Sequence, residues 1–521
     1  MGKLSGKILL TVALAALLIL FSLGPTPSLA TGAPDYWQAG TGDWGISGNW
    51  EYGVPDSSMN AVIDIGGSTA KISTSDAAAQ NLTVGQTVLG SSTGSGISHL
   101  DKTFTVGGTL TLGQDAVGGS GSWYGSYGKY YLNDSGGGIP TLTADSVIVS
   151  DMGYGVFWQQ GGTVAVTHNL VLGNQILPGD PQDGSYPISG QYTMWQGATA
   201  PHLTVGGQLI VGNAGYGGFE QYSGSAAVLG SGLDGVGALV ICSQAGSRGY
   251  YCLYNDASLT VGQESSPATM YVGQGGSGYF GINYYGGAGG DPYSFKLFGD
   301  LVVGDQPTGW GIIDQRSGTA VVTGNLTLGN QPGANGEYDL FAGNYQSGSS
   351  GRFNLFKRTY SDDWGSQTTG PASLTVQGSL AVGQSGEGFF DQEGGAVTVG
   401  QDLILGQQNS GGGVYGLFGG TYSDGSGYSE TTSPASLTVG GYLIVGQSGD
   451  GVFAQEGGTV SVAQDLILGQ EQNSSGVYVL LGGSANGGPE EGSISINTGL
   501  ASLTVGGSLI VGQSGNGTFA Q

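Results

Sequence analysis

The sequence predicts an all-β chain: a parallel β-helix (β-solenoid) of Gly-rich repeats with short strands and loop insertions. The first observation is a phrase the chain keeps rewriting. Residues 436–470 read SLTVGGYLIVGQSGDGVFAQEGGTVSVAQDLILGQ, and residues 373–407 read SLTVQGSLAVGQSGEGFFDQEGGAVTVGQDLILGQ. The phrase begins a third time at Ser502, at nearly the same interval, and breaks off in mid-unit at Gln521. A fixed period of short apolar runs means units that bury their apolar faces only against neighbouring copies. The second observation is a side-chain period of 2. In Leu437-Thr438-Val439 the outer residues point one way and Thr438 the other, and Leu443/Val445, Val460/Val462 and Leu466/Leu468 repeat this. The third is the Gly pair at Gly440-Gly441, which ends a strand where a corner needs positive φ or close backbone approach.

Residues 1–30 are read as a signal peptide. Lys3 and Lys7 precede an apolar run from Ile8 to Leu23, and Ser28-Leu29-Ala30 places small residues before a cleavage point. The apolar run is short for a membrane-spanning helix, and nothing later in the chain is longer, so no membrane span is expected in the mature chain.

Residues 31–80 are read as a Trp-rich N-terminal cap. Trp37, Trp44 and Trp50 with Gly53-Val-Pro-Asp56 would cover the open end of a solenoid and block edge pairing. Residues 81–521 form the repeat domain. Leu437-Thr-Val439 and Val460-Ser-Val462 look alike within one phrase, and the interval between them is the predicted length of a single turn. Roughly 15–20 turns at about 4.8 Å each give a rod on the order of 70–100 Å long.

Two Gln series recur. Gln86, Gln114, Gln263, Gln274, Gln384, Gln407, Gln447, Gln470 and Gln513 follow a Gly at the end of a strand. Gln159, Gln221, Gln315, Gln392, Gln455 and Gln521 lie two residues after an apolar one. Both are read as amide ladders along the axis, the functional alternative being a polar binding stripe.

With the Leu-Thr-Val-Gly-Gly phrases, the opening Tyr36–Gly66 (YWQAGTGDWGISGNWEYGVPDSSMNAVIDIG) resembles a repeat region shared by two groups. These are the passengers of type V secretion (autotransporter) proteins and PEP-CTERM-associated exported proteins. The resemblance implies an exported β-solenoid displayed on a bacterial surface or held in a matrix. Neither a translocator barrel nor a sorting segment accompanies it within this sequence. Because the repeated phrase breaks off in mid-unit, the repeat domain is expected to continue beyond Gln521.

Composition narrows the function classes. The chain carries 11 Lys+Arg against 37 Asp+Glu, a net charge of −26, so it offers no footprint for nucleic acid or anionic lipid. His99, His168 and His202 are scattered, which suggests no triad or His-rich metal site. No cofactor is expected, and calcium has no supporting motif because the Gly-Gly-x-Gly-x-Asp nonapeptide array is absent. Asp402 and Asp465, with Asn169 and Asn325 at equivalent places, are read as turn-shaping residues rather than metal ligands.

Export would allow the two cysteines to pair. Aligned without a gap to residues 402–418, Cys242 and Cys252 fall where the sister copy has Gly406 and Gly416. A staple across the loop and two buried free thiols both fit, since sequence does not fix the Cα separation.

The function expected is a non-catalytic scaffold or adhesin-like passenger. Its insertions would present aromatic rings, Tyr360, Trp364, Tyr422 and Tyr428 among them, to extracellular polysaccharide or another surface protein. The same reading places Tyr130-Tyr131 and Tyr192 to Trp195 in insertions, with part of each cluster in the core. The alternative is a carbohydrate-active β-helix enzyme, a polysaccharide lyase or hydrolase. Such an enzyme needs converging carboxylates and a base, and Asp362-Asp363 is the one pair of interest. Clustering of Asp/Glu with Arg or Lys would favour it.

Overall fold

The computed structural model describes residues 33–86, 94–115, 126–175, 189–231, 237–255, 257–282, 294–346, 367–368, 370–423, 429–486 and 495–521. The signal-peptide expectation lies outside these residues. No helix among them is long and apolar enough to cross a membrane.

The chain is an all-β parallel β-helix. A front sheet of 16 parallel strands takes one strand from each coil, and a 28-stranded back sheet takes the other two segments of each coil. With about 4.8 Å per rung, 16 rungs span about 70 Å. Register is kept from coil to coil: Leu374 pairs with Val397, Val397 with Leu437, and Leu437 with Val460. The alternation read from sequence decides what is buried. Leu437 and Val439 point inward with almost no exposure, while Thr438 faces water.

Corners explain the glycines. Gly406 has φ +63° and Gly413 faces the corner from the front sheet. A Cβ on Gly413 would collide with the Val382 carbonyl oxygen and come 2.5 Å from the Gly406 nitrogen. Only a bare Cα fits.

Residues 33–80 are continuous with the repeat domain. Asn60–Ile63 already pairs with Asn81–Val84, and Thr69–Ile72 pairs with the next front strand. Trp37, Trp44 and Trp50 are buried, and Trp50 stands edge-on to both of the others, at 5.0 and 4.6 Å. The small strand Ala77–Ala79 leaves room for Trp44 to reach Phe104, 5.0 Å away.

The front sheet has a period of two coils. In one coil type the inward residues are apolar-x-Gln, as in Phe390-Asp391-Gln392. In the next they are Tyr-x-apolar, as in Tyr415-Gly416-Leu417. The rings stack through the core from Tyr338 to Phe390, Tyr415, Phe453 and Tyr478, with centroids 4.7–5.0 Å apart and planes within 6°. A second column runs from Tyr130 through Phe157, Tyr192 and Phe219 to Tyr251. The columns are separated by two coils, that of Phe280 and Ile282 and that of Ile313 and Gln315; the inward pair of the first contains neither Gln nor Tyr and shifts the phase.

This alternation corrects the second Gln ladder. Gln392 and Gln455 lie two coils apart, about 9.6 Å, too far for their amides to meet. Instead each Gln binds into the following coil. Gln392 Nε2 donates to Gly395 O and Ser436 O, and Oε1 accepts from the Tyr415 hydroxyl at 2.8 Å. The same three bonds recur at Gln159, Gln221, Gln315 and Gln455.

The first series marks two different corners. Gln263 sits between two back-sheet segments, where it bridges Ser266, and the others follow the second segment. At that second corner the side-chain ladders found run through Asp and Asn. Asn174 donates to Asp151, Asn213 to Asn174, and Asn330 to Asp305.

Candidate interaction surfaces

The first surface is built by insertions. A bare coil returns after 23 residues, whereas the coils with hairpin insertions between front and back sheets run to 40, 43 and 54. Three such insertions are β-hairpins: Gly343–Gln346 with Gln367–Thr368, Thr421–Ser423 with Ser429–Thr432, and Gly483–Asn486 with Ser495–Gly499. They join into one six-stranded antiparallel sheet, Gly343–Gln346 pairing with Ser429–Thr432 and Thr421–Ser423 with Ser495–Gly499. Strand spacing accounts for the alternation. A hairpin is two strands wide, about 9.6 Å, and two coils rise by the same amount, so one hairpin per second coil tiles without gap or crowding.

Tyr422 lies in this hairpin sheet, with its backbone in register with Glu430 and Ile496. Tyr360, Trp364 and Tyr428 lie outside the described residues, as do Asp362-Asp363 and Asp424.

The second surface is the outer wall of the front sheet, and here the aromatic assignments change. Tyr130-Tyr131 and Tyr192 to Trp195 belong to front strands rather than insertions, with one ring inward and the next outward. Tyr130 and Tyr192 are core. Trp158 and Trp195 face out, 45% and 47% exposed. Trp195 stacks on Tyr222 at 3.9 Å, Tyr222 stacks on Tyr254 at 4.4 Å, and Tyr131 meets Trp158 edge-on at 5.0 Å. Beside them Glu220 accepts hydrogen bonds from Gln191 Nε2 and the Tyr250 hydroxyl, and burial raises its pKa. Trp158 was legible as an outward position, because it sits between the inward Phe157 and Gln159.

Farther along the wall, Asp314, Asp339 and Asp391 occupy one register position on adjacent rungs. The buried Arg316 guanidinium binds both Asp314 carboxylate oxygens, its closest approach being 2.9 Å. Sequence reading missed this column because its members lie on separate coils at unequal intervals along the chain, and only the rung register aligns them. Among the described residues no group of three or more His, Cys, Asp or Glu is placed to hold a metal ion.

The turn residues hold neighbouring coils. Asp402 accepts from the Tyr442 N–H, Asp465 from Ser508, Asn169 from Gln208 and Asn325 from Ser379. His168 contacts Asp145 at 2.6 Å and His202 contacts Ser225 at 2.8 Å, two separate exposed pairs.

The staple considered for Cys242 and Cys252 is not formed: both thiols are free and buried. Cys242 belongs to the core cluster and takes the left-handed corner at φ +64°, with its thiol 2.8 Å from Ser277 O. Cys252 lies in the outward row between Glu220 and Gly281, on the other face of the front sheet. Burial raises both thiol pKa values, that of Cys252 to about 12.

Against family models, curated proteins and solved structures, the chain has no match.

Proposed function

We propose that this chain is a non-catalytic, exported β-solenoid, an adhesin-like passenger or cell-surface or matrix scaffold. The observation that carries the reading is the hairpin sheet. Insertions spaced every second coil form one continuous surface beside a stiff rod, an arrangement suited to display. The acidic, Lys/Arg-poor composition would keep such a rod soluble outside a cell and limit its partners to polymers or proteins without strong negative charge. The N-terminal sequence supports export, and the partner is extracellular polysaccharide or another surface protein.

The alternative, a polysaccharide lyase or hydrolase, is favoured by one observation: the column of Asp314, Asp339 and Asp391 beside Arg316. Against it, the Arg316 guanidinium is already engaged by Asp314, and the carboxylates are spaced rung by rung rather than converging.

The scaffold reading is tested by expressing the full chain in a bacterial host. The expected result is material outside the cytoplasm that begins at Thr31 and is removed from intact cells by added protease. Chain retained in the cytoplasm with residues 1–30 attached would refute it.

A further inference from the structure

The outer wall between the Tyr131 and Glu220 rungs combines three features that the fold does not require. Two indoles expose nearly half their surface on neighbouring coils, with Trp158 in register with Thr193 and Gln160 with Trp195. Thr193, beside them on the outward row, is only 2% exposed, yet its hydroxyl has no hydrogen-bond partner. A buried hydroxyl without an acceptor is an unmet demand that a bound ligand can fill. Finally, the two outward rows Tyr131–Trp158–Thr193–Glu220 and Asn133–Gln160–Trp195–Tyr222 contain no Lys or Arg.

We propose that Trp158 and Trp195 form a stacking platform for an uncharged polysaccharide, with Thr193 and Gln160 hydrogen-bonding its hydroxyls. Indole faces carry partial negative charge, and the C–H faces of a hexose present the complementary hydrogens. Trp195 is held by its stack on Tyr222 and Tyr254, on the next two rungs of the same row, which removes much of its rotational freedom before binding. Charge selects the class of polymer. A net charge of −26 and the Glu220 carboxylate repel uronate-rich or sulfated chains, and no cation is present in either row to reverse that. The Lys129 ammonium, nearby on an adjacent outward row, lies over the Tyr127 ring at 4.4 Å.

This inference rests on the scaffold reading only in assuming that the rod adheres to a polymer. It places the contact on the rod wall rather than on the hairpins. Native electrophoresis of the full chain through gels containing hydroxyethylcellulose, starch or polygalacturonate separates the two. The expected result is retardation by a neutral polymer and none by polygalacturonate. Trp158→Ala/Trp195→Ala should weaken retardation ~10-fold or more, while deleting residues 421–435 should leave it unchanged. Because Trp195→Ala could loosen its stack, N-bromosuccinimide oxidation of the native chain gives a second readout. The neutral polymer should shield Trp158 and Trp195 from oxidation. Equal retardation of the double variant, or unshielded indoles, would overturn the proposal without touching the hairpin sheet.

Discussion

The Tyr415 hydroxyl donates to Gln392 Oε1 at 2.8 Å, across the boundary between two coils, with both side chains buried. Gln392 also donates to the Ser436 carbonyl, at the point where the next coil re-enters the back sheet after its hairpin. One amide therefore ties a bare coil to the coil whose corner is opened by an insertion.

Tyr415→Phe should lower stability by about 1–3 kcal/mol, because it leaves a buried Gln392 oxygen without a donor. Gln392→Leu should lower it further, since it leaves the buried Tyr415 hydroxyl without an acceptor and removes the amide's bonds to Gly395 O and Ser436 O. The double variant should fall short of the sum by on the order of 1 kcal/mol in a double-mutant cycle. Strict additivity in denaturant unfolding would contradict the two-coil unit.

His99 stands at the inward position that Gln159 takes two coils later. Its Nε2–H donates to Lys102 O at 2.7 Å, which leaves Nδ1 to accept from the Tyr130 hydroxyl at 2.8 Å. Burial lowers its pKa to about 4 from 6.5. The folded state therefore holds the neutral ring while the unfolded state takes up a proton below pH 6.5. Stability is present above pH 6.5 and is lost progressively as pH falls toward 4. His99→Gln should fold and flatten the difference in melting temperature between neutral and mildly acidic buffer. An unchanged pH dependence would remove His99 as its source.

The buried, raised thiols should be inert. Ellman's reagent in mildly alkaline buffer should label neither Cys242 nor Cys252 in the native chain and both in guanidinium, with no reductant needed. A Cys242–Cys252 peptide in non-reduced digests would contradict the structure.

Deleting residues 421–435 should convert one long coil into a bare one, joining Gly420 to Ser436 as Gly395 joins Ala396. The rod should keep its circular dichroism spectrum, while the flanking hairpins lose their pairing partner and become sensitive to protease. Loss of the β signal would show that the hairpin sheet supports the rod.

Much of the rod was legible because a coil's burial pattern is local. Leu437-Thr438-Val439 declares its faces through period 2, and Gly440-Gly441 declares its corner. What sequence could not give was register between distant segments. Gln392 and Tyr415 were both visible, but their bond depends on coils alternating in type. The Asp314, Asp339 and Asp391 column depends on a hairpin-bearing insertion being skipped in the count. The Trp195 half of the wall was hidden because Tyr192 to Trp195 reads as an insertion, although alternation with Phe157 and Met194 marks both Trp158 and Trp195 as outward.

The central claim is adhesion without cleavage, and product analysis on the purified full chain tests it most directly. Neutral and acidic polysaccharides are incubated with the protein, with and without calcium, and assayed for new reducing ends and unsaturated products. The account predicts retention on a neutral polymer and no products in any condition. Product release by the native chain that disappears in Asp339→Asn/Asp391→Asn would contradict it and place an active site on the carboxylate column.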